Sequence, residues 1–319
     1  MKKLSSVSLL AGTLALGAMT STLAHAQVFV ANYGDNSIWQ YDSSGHGTVF
    51  VSSSSGLLNG PSALAFDSSG NLFVGNFGLY SGNKYEVDGF DPSGNLITTL
   101  SLGLNVPAGL AFDSSGDLFV ANNANNTSSG NIEEFAYTSG SLSTSGTTFA
   151  SLVGVYGLAF DSGGNLYAAS LANNTITEFN SGGSSIATIS SGLNSPWGLA
   201  FDNSGNLYAA DSGNGAVEKF AATGPGTVSG TGTTFASGLS QPAGLAFDNN
   251  TNLFVADLNG NKIEQYNSSG NGALFTTNNV NNPTAVATKP VPEPTACGLL
   301  IMGVGALFGL RNRKGSVRS

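Results

Sequence analysis

The chain has 319 residues; 44 are glycine, 40% are hydrophobic and only 9% are charged. Low charge with abundant Gly, Ser, Thr and Asn would suit a disordered polymer, but so much apolar content in a regular pattern argues for a packed all-β protein. Positions 27–288 hold 18 acidic residues, three lysines (Lys84, Lys219, Lys262) and no arginine, a net charge of −15 that repels phosphate backbones and argues against nucleic acid as a partner.

The first predicted element is an export signal. Met1-Lys2-Lys3 is basic, residues 7–19 are apolar, and Ala24-His25-Ala26 places small residues at −3 and −1 of a cut between Ala26 and Gln27. That is the three-part plan of a secretory signal peptide. The apolar run is short for an uncleaved anchor.

Past this signal the chain repeats one sentence. Pro61-Ser-Ala-Leu-Ala-Phe-Asp67 returns as Pro107-Ala-Gly-Leu-Ala-Phe-Asp113, Val155-Tyr-Gly-Leu-Ala-Phe-Asp161, Pro196-Trp-Gly-Leu-Ala-Phe-Asp202 and Pro242-Ala-Gly-Leu-Ala-Phe-Asp248. The starts are 46, 48, 41 and 46 residues apart, a period that points to a repeat architecture. Each copy is followed by a second apolar run, beginning at Leu72, Leu118, Leu166, Leu207 and Leu253. A third run ends in an aromatic (132–135, 176–179, 217–220 and 263–266), and a weaker fourth follows, as at 147–150 and 233–236. Runs of about five residues, rich in aromatic and β-branched types and bounded by turn residues, read as strands. The link Asp67-Ser-Ser-Gly-Asn71 suits a tight hairpin, because Asp and Ser bond the local backbone and Gly supplies a positive φ.

Four short strands per 40–50 residues predict a propeller blade. The chain enters in mid-unit, with strands at 28–32, 37–41 and 48–51 and no inner strand before them. The missing strand stands at the other end, Pro283-Thr-Ala-Val-Ala287, 41 residues after Pro242. The expected fold is therefore all-β: a six-bladed β-propeller of four-stranded antiparallel blades, the first closed by the C-terminal strand, which removes the raw edges of an open ring. The units resemble NHL repeats, with their Pro-x-Gly-Leu-Ala-Phe-Asp and Gly-Asn-Leu-Tyr-Ala-Ala-Asp runs. That resemblance implies the fold over nearly all of 27–288 but leaves function open, since the fold hosts scaffolds, ligand binders, lactonases and lyases.

Beyond the propeller, Lys289-Pro-Val-Pro-Glu-Pro294 is a proline-rich linker, residues 295–310 are uncharged and apolar, and Arg311-Asn-Arg-Lys314 is basic. The apolar stretch is slightly short of the ~20 residues that span a bilayer comfortably, and the basic cluster would stay cytoplasmic. Residues 295–319 are thus expected to be a membrane helix with a basic tail. Val291-Pro292-Glu293-Pro294, the Gly-containing helix and the tail resemble the PEP-CTERM sorting signal, which implies processing near Pro292, Glu293 and Pro294 by exosortase-type machinery. The sole cysteine, Cys297, lies in this segment and reads as a small helix residue, so the propeller uses no disulfide.

Residues that could carry chemistry cluster on one predicted face. Strand alternation gathers there Asn32, Asp35, Asn36, Asn76, Asn122, Asn125, Asn126, Asn173, Asn174, Asp211, Asn214, Asp257, Asn259 and Asn261. Asn32, Asn76, Asn122, Asp211 and Asp257 are candidates for a ligand or metal, Ca2+ being the ion that takes six to eight such oxygens; the structural reading is that Asx residues cap strands and bend loops. Asp211 and Asp257, on adjacent blades, are the candidate charged pair. Trp197, near the channel mouth, could stack on a sugar ring or pack between blades. Glu134, Glu178, Glu218 and Glu264 read as one recurring position of the third strand.

A gluconolactonase-like site would need a Glu, an Asn and an Asp around one divalent ion, and no Glu stands at a second-strand end. Propeller lyases lean on histidine; here His46 alone would remain after export, in a Gly-rich loop. No nucleophile elbow, phosphate loop or zinc spacing occurs. The resulting expectation is an exported envelope or matrix protein that is a non-catalytic binding or structural surface, with extracellular polysaccharide or surface proteins as partners. The alternative is an extracellular metal-dependent hydrolase or lyase at the channel mouth.

Overall fold

Each repeat forms one antiparallel four-stranded sheet, and six sheets make a β-propeller. The computed structural model describes residues 27–78, 85–124, 130–249 and 251–289. The predicted signal peptide, the sorting motif and the predicted membrane helix lie outside them. Among the described residues no helix is long and apolar enough to cross a membrane; a short 3-10 turn spans Ser53–Ser55.

Blade 1 is assembled from both chain ends. Its inner strand is Pro283–Thr288, followed outward by Val28–Asn32, Ser37–Tyr41 and Gly47–Val51. The closure pairs Val28↔Thr288 through Ala31↔Ala285 and, past a bulge that skips Thr284, Asn32↔Pro283. The other inner strands are Pro61–Phe66, Pro107–Phe112, Val155–Phe160, Pro196–Phe201 and Pro242–Phe247, in blades 2 to 6.

The repeated sentence is a packing rule. A Cβ at Gly109 would lie 1.8 Å from the Tyr156 carbonyl oxygen, and one at Gly157 2.2 Å from that of Trp197. Neighbouring inner strands approach so closely that only glycine fits there. Blades 1 and 2 carry Ala285 and Ala63 instead. There the preceding residue supplies a hydroxyl: Thr284 Oγ1 donates to the Pro61 carbonyl and Ser62 Oγ to that of Pro107, both at 2.7 Å. The second strands are buried along their whole length, because sheets on both sides cover them.

Aromatic side chains seal the blades to one another. Phe29 packs edge-on between Phe50 of its own outer strand and Phe66 of the next inner strand, with both centroid distances 5.1 Å. Phe119 stands likewise between Phe149 and Phe160, and Tyr208 between Phe235 and Phe247. Each such pair is worth about 0.5–1.5 kcal/mol beyond the area it buries. A bulge in the outer strand makes the geometry possible. Pairing skips Phe50 between Ile38↔Val51 and Trp39↔Val49, freeing it from the ladder.

Blades 2 and 4 depart from this rule. Their outer strands, Leu96–Leu100 and Ser185–Ile189, have no aromatic, and pairing skips Ile97 and Ile186 instead. The following blades compensate with an inserted hairpin between third and outer strands. In blade 3 it pairs Tyr137–Thr138 with Ser141–Leu142; in blade 5 it pairs Ala222–Gly224 with Thr227–Val228. Leu142 and Val228 reach back into the seams to which the outer strand contributes no aromatic.

Candidate functional site

The second-strand termini nominated from the sequence fall on the top face, where loops enter the inner strands and leave the second strands. The second strands of blades 1 to 6 end in Asn32, Asn76, Asn122, Ser170, Asp211 and Asp257, all buried. Each bonds the backbone of the loop leading into its own blade. Asn32 accepts from Asn281 N (3.1 Å) and donates to the Asn279 carbonyl (2.7 Å). Asn76 accepts from Asn59 N (2.9 Å) and donates to Asp88 (2.9 Å). Asn122 accepts from Asn105 N and donates to the Gly103 carbonyl (2.9 Å). Ser170 donates to the Val153 carbonyl (2.7 Å).

The two carboxylates do the same. Asp211 accepts from Asn194 N and Asn214 Nδ2, both at 2.7 Å. Asp257 accepts from Ser240 N (2.9 Å) and Gln241 N (2.8 Å), with Lys262 Nζ 3.6 Å away. Nominated as a pair, they serve two different loops. Burial raises the Asp211 pKa above the usual carboxylate range, opposed by the donors Asn194 N and Asn214 Nδ2. The geometry explains the preference for short polar side chains here. A buried loop N–H without an acceptor costs about 1–3 kcal/mol, and the end of the neighbouring strand can supply one.

A second tier of asparagines ties blade to blade. Asn36, Asn174 and Asn261 sit at positive φ (56°, 55° and 49°). Their side-chain oxygens accept from Gly60 N, Ser195 N and Asn282 N of the following inner-strand loop, at 2.6–2.7 Å. Asn125 and Asn126 lie outside the described residues.

The third-strand glutamates are not one position. Glu178 and Glu134 stand opposite Tyr167 and Phe119, whereas Glu218 and Glu264 stand opposite Ala209 and Val255, one residue earlier in the strand. Because strand side chains alternate, the two sets point to opposite sheet faces. The doublet Glu133-Glu134 hid the shift in the sequence, since Glu133 occupies the Glu218 position. His46 is exposed in its turn, with Nδ1 3.5 Å from Asp42.

Trp197 lines the channel mouth, 4.8 Å from the Tyr156 ring and tilted against it. Leu64, Leu110, Leu158, Leu199, Leu245 and Val286 also line the channel. One aliphatic residue from each blade gives it an apolar collar. Among the described residues, no group of three or more His, Cys, Asp or Glu side chains could hold a metal ion. The side chains of Asn32 and Asn122 are engaged with loop backbone, and that of Asn76 with loop backbone and Asp88.

Comparison with known proteins gives the relatives. No curated protein matches the sequence. Residues 193–220 match the NHL repeat, and residues 290–314 match the PEP-CTERM protein-sorting motif. Among solved structures, the fold is similar to a periplasmic gluconolactonase of Pseudomonas aeruginosa (17% identity, 84% of this chain and 99% of that one, TM-score 0.60). It is also similar to virginiamycin B lyase of Staphylococcus aureus (18% identity, 70% and 73%, TM-score 0.54). A protein of unknown function from Bacteroides caccae is similar too (10% identity, 83% and 99%, TM-score 0.60). At these identities the likeness shows the fold alone. Residues 5–201, more than half of the chain, match the SMP-30/Gluconolactonase/LRE-like region, and the chain belongs to that family.

Proposed function

We propose that this chain is an exported propeller, delivered through its PEP-CTERM signal to the cell envelope or extracellular matrix, where it is a non-catalytic binding or structural surface. The observation that carries this reading is the use of the top-face donors. The six second-strand termini are engaged in holding loops, and the collar beneath them is aliphatic. Export rests on the basic-apolar-small start of residues 1–26, and delivery on the match at 290–314. Exosortase-type machinery is the processing partner, after transient anchoring by residues 295–319.

The family match favours a second reading: a metal-dependent hydrolase of sugar lactones, or a lyase, at the channel mouth. A direct assay separates the two. Purified protein, incubated with glucono-δ-lactone and with Ca2+, Mn2+ or Zn2+ in turn, is expected to open the ring no faster than buffer with the same ion. Turnover that EDTA abolishes would overturn the non-catalytic reading. Under that reading, EDTA also leaves the melting temperature unchanged.

A further inference from the structure

The inserted hairpins of blades 3 and 5 start from the same anchor and end with opposite consequences. In blade 3, Tyr137 N donates to Asp117 Oδ1; in blade 5, Ala222 N donates to Asn206 Oδ1 at 2.9 Å. Tyr137 and Ala222 are therefore equivalent positions. The Tyr137 ring lies over the bottom turn of its blade, 3.4 Å from where a Cβ on Gly116 would stand. In blade 5 the ring is missing, and a groove of about 580 Å3 opens between the hairpin and the turn. That is within the range of about 300–1,000 Å3 of small-molecule sites.

The lining of the groove restricts its ligand. Phe201, half-buried, and Pro225 give it apolar surface, while Ser162, Asn203 and Ser204 bring exposed polar side chains. Its one charged residue, Asp202, is already engaged: Oδ1 accepts from Ser204 N and Asn206 N, and Oδ2 from Asn206 Nδ2 and Tyr208 OH. No cation lines this larger groove, the adjoining hollow holding the one lysine, Lys219, and the surrounding propeller is strongly acidic. A second hollow of about 200 Å3, walled by Tyr208 and Phe247, shares Asp202, Asn203 and Ser204 and lengthens the trough. Lys219, in that hollow, stands over the Tyr208 ring, 5.2 Å from its centroid.

Resting on the binding role proposed above, we infer that the bottom-face groove at blade 5 takes a neutral glycan segment, a ligand with hydroxyls on its edges and C–H faces for the aromatic floor. The channel mouth is then not the recognition site. Ala222 keeps the groove open, and Tyr137 shows how the same fold closes it.

Isothermal titration of the intact protein with neutral hexasaccharides (gluco-, manno- and galacto-series) and with hexagalacturonate tests this. At least one neutral series is expected to bind, and the polyuronate is not. Ala222→Tyr, which copies a side chain the fold already accommodates in blade 3, is expected to weaken binding at least tenfold with no change in melting temperature. Tyr137→Ala should raise the stoichiometry toward two. Silence of every neutral series overturns the inference while leaving the lactonase assay to judge the broader role. Wild-type affinity in a folded Ala222→Tyr protein, or loss of binding in Trp197→Ala instead, also overturns it.

Discussion

The bottom and top faces of this propeller spend the same residue types, Asp and Asn, in two different ways. On the bottom, the turns are capped from within. Asp67 Oδ1 accepts from Ser69 N and Asn71 N, and Asn71 Nδ2 closes on Oδ2. The pattern recurs at Asp91, Asp161 and Asp202, with Gly at positive φ beside each. On the top, the partners are far away in sequence. Asn32 bonds residues almost 250 positions on, and Asp257 reaches back 16 and 17. The bottom thus makes turns, which need only local order, whereas the top makes a ring.

If that division is right, damage at the top should cost far more than damage at the bottom. The largest effect is expected from deleting Pro283–Thr288. Without it blade 1 loses its inner strand and the ring its closure, so cooperative melting should vanish or the protein aggregate, as circular dichroism and size-exclusion chromatography would show. A truncated protein that melts like the parent would sink the closed-ring account.

Asp257→Ala comes next. It strands Ser240 N and Gln241 N and leaves Lys262 to Glu264 alone. A loss of about 3 kcal/mol is expected, which for a domain of this size lowers the melting temperature by roughly 6–12 °C. Asp67→Ala on the bottom face removes a solvent-accessible local cap and should cost about 1 kcal/mol, or roughly 2–4 °C. Equal losses from the two substitutions would erase the comparison.

The smallest effect separates the two top-face chemistries, amide in blades 1 to 3 and carboxylate in blades 5 and 6. Burial raises the pKa of Asp211 in the folded state. Its contribution to stability is therefore fully present below the unfolded-state pKa and is lost as pH rises through the folded-state value. Asp211→Asn, the residue blades 1 to 3 already use, should remove that dependence. Its melting temperature relative to the parent should climb as pH rises across the acidic range. A constant offset would mean that Asp211 titrates as it does unfolded.

These contrasts mark what could be read in advance. The hairpin turns were legible because Asp67 and Asn71 are four residues apart and interact only with each other's neighbourhood. The blade count was legible because the sentence repeats and its sixth copy is displaced to Pro283. The candidate site was legible only as a list. Nothing in the sequence shows that Asn32 faces a loop near position 280, or that Asn36 clamps Gly60 of the next blade. The third-strand glutamates misled because Glu133 and Glu134 are adjacent, and only strand register assigns them to opposite faces. The spacings of 46–48 residues after Pro61, Pro107 and Pro196 signal inserted residues but not which of them form hairpins or what those hairpins do.

By itself the sequence determined the architecture: strand length, turn chemistry and the small residue in each inner strand are local properties, and a period of 41–48 residues propagates them into six blades. Only the tertiary structure decided what the polar residues do. Whether a buried Asn holds a loop or a ligand depends on which backbone group lies within hydrogen-bond reach of it, and that neighbour comes from a distant part of the chain. The same holds for the groove: Tyr137 and Ala222 differ by one ring, and only the packing of each hairpin against its turn makes one blade closed and the other open.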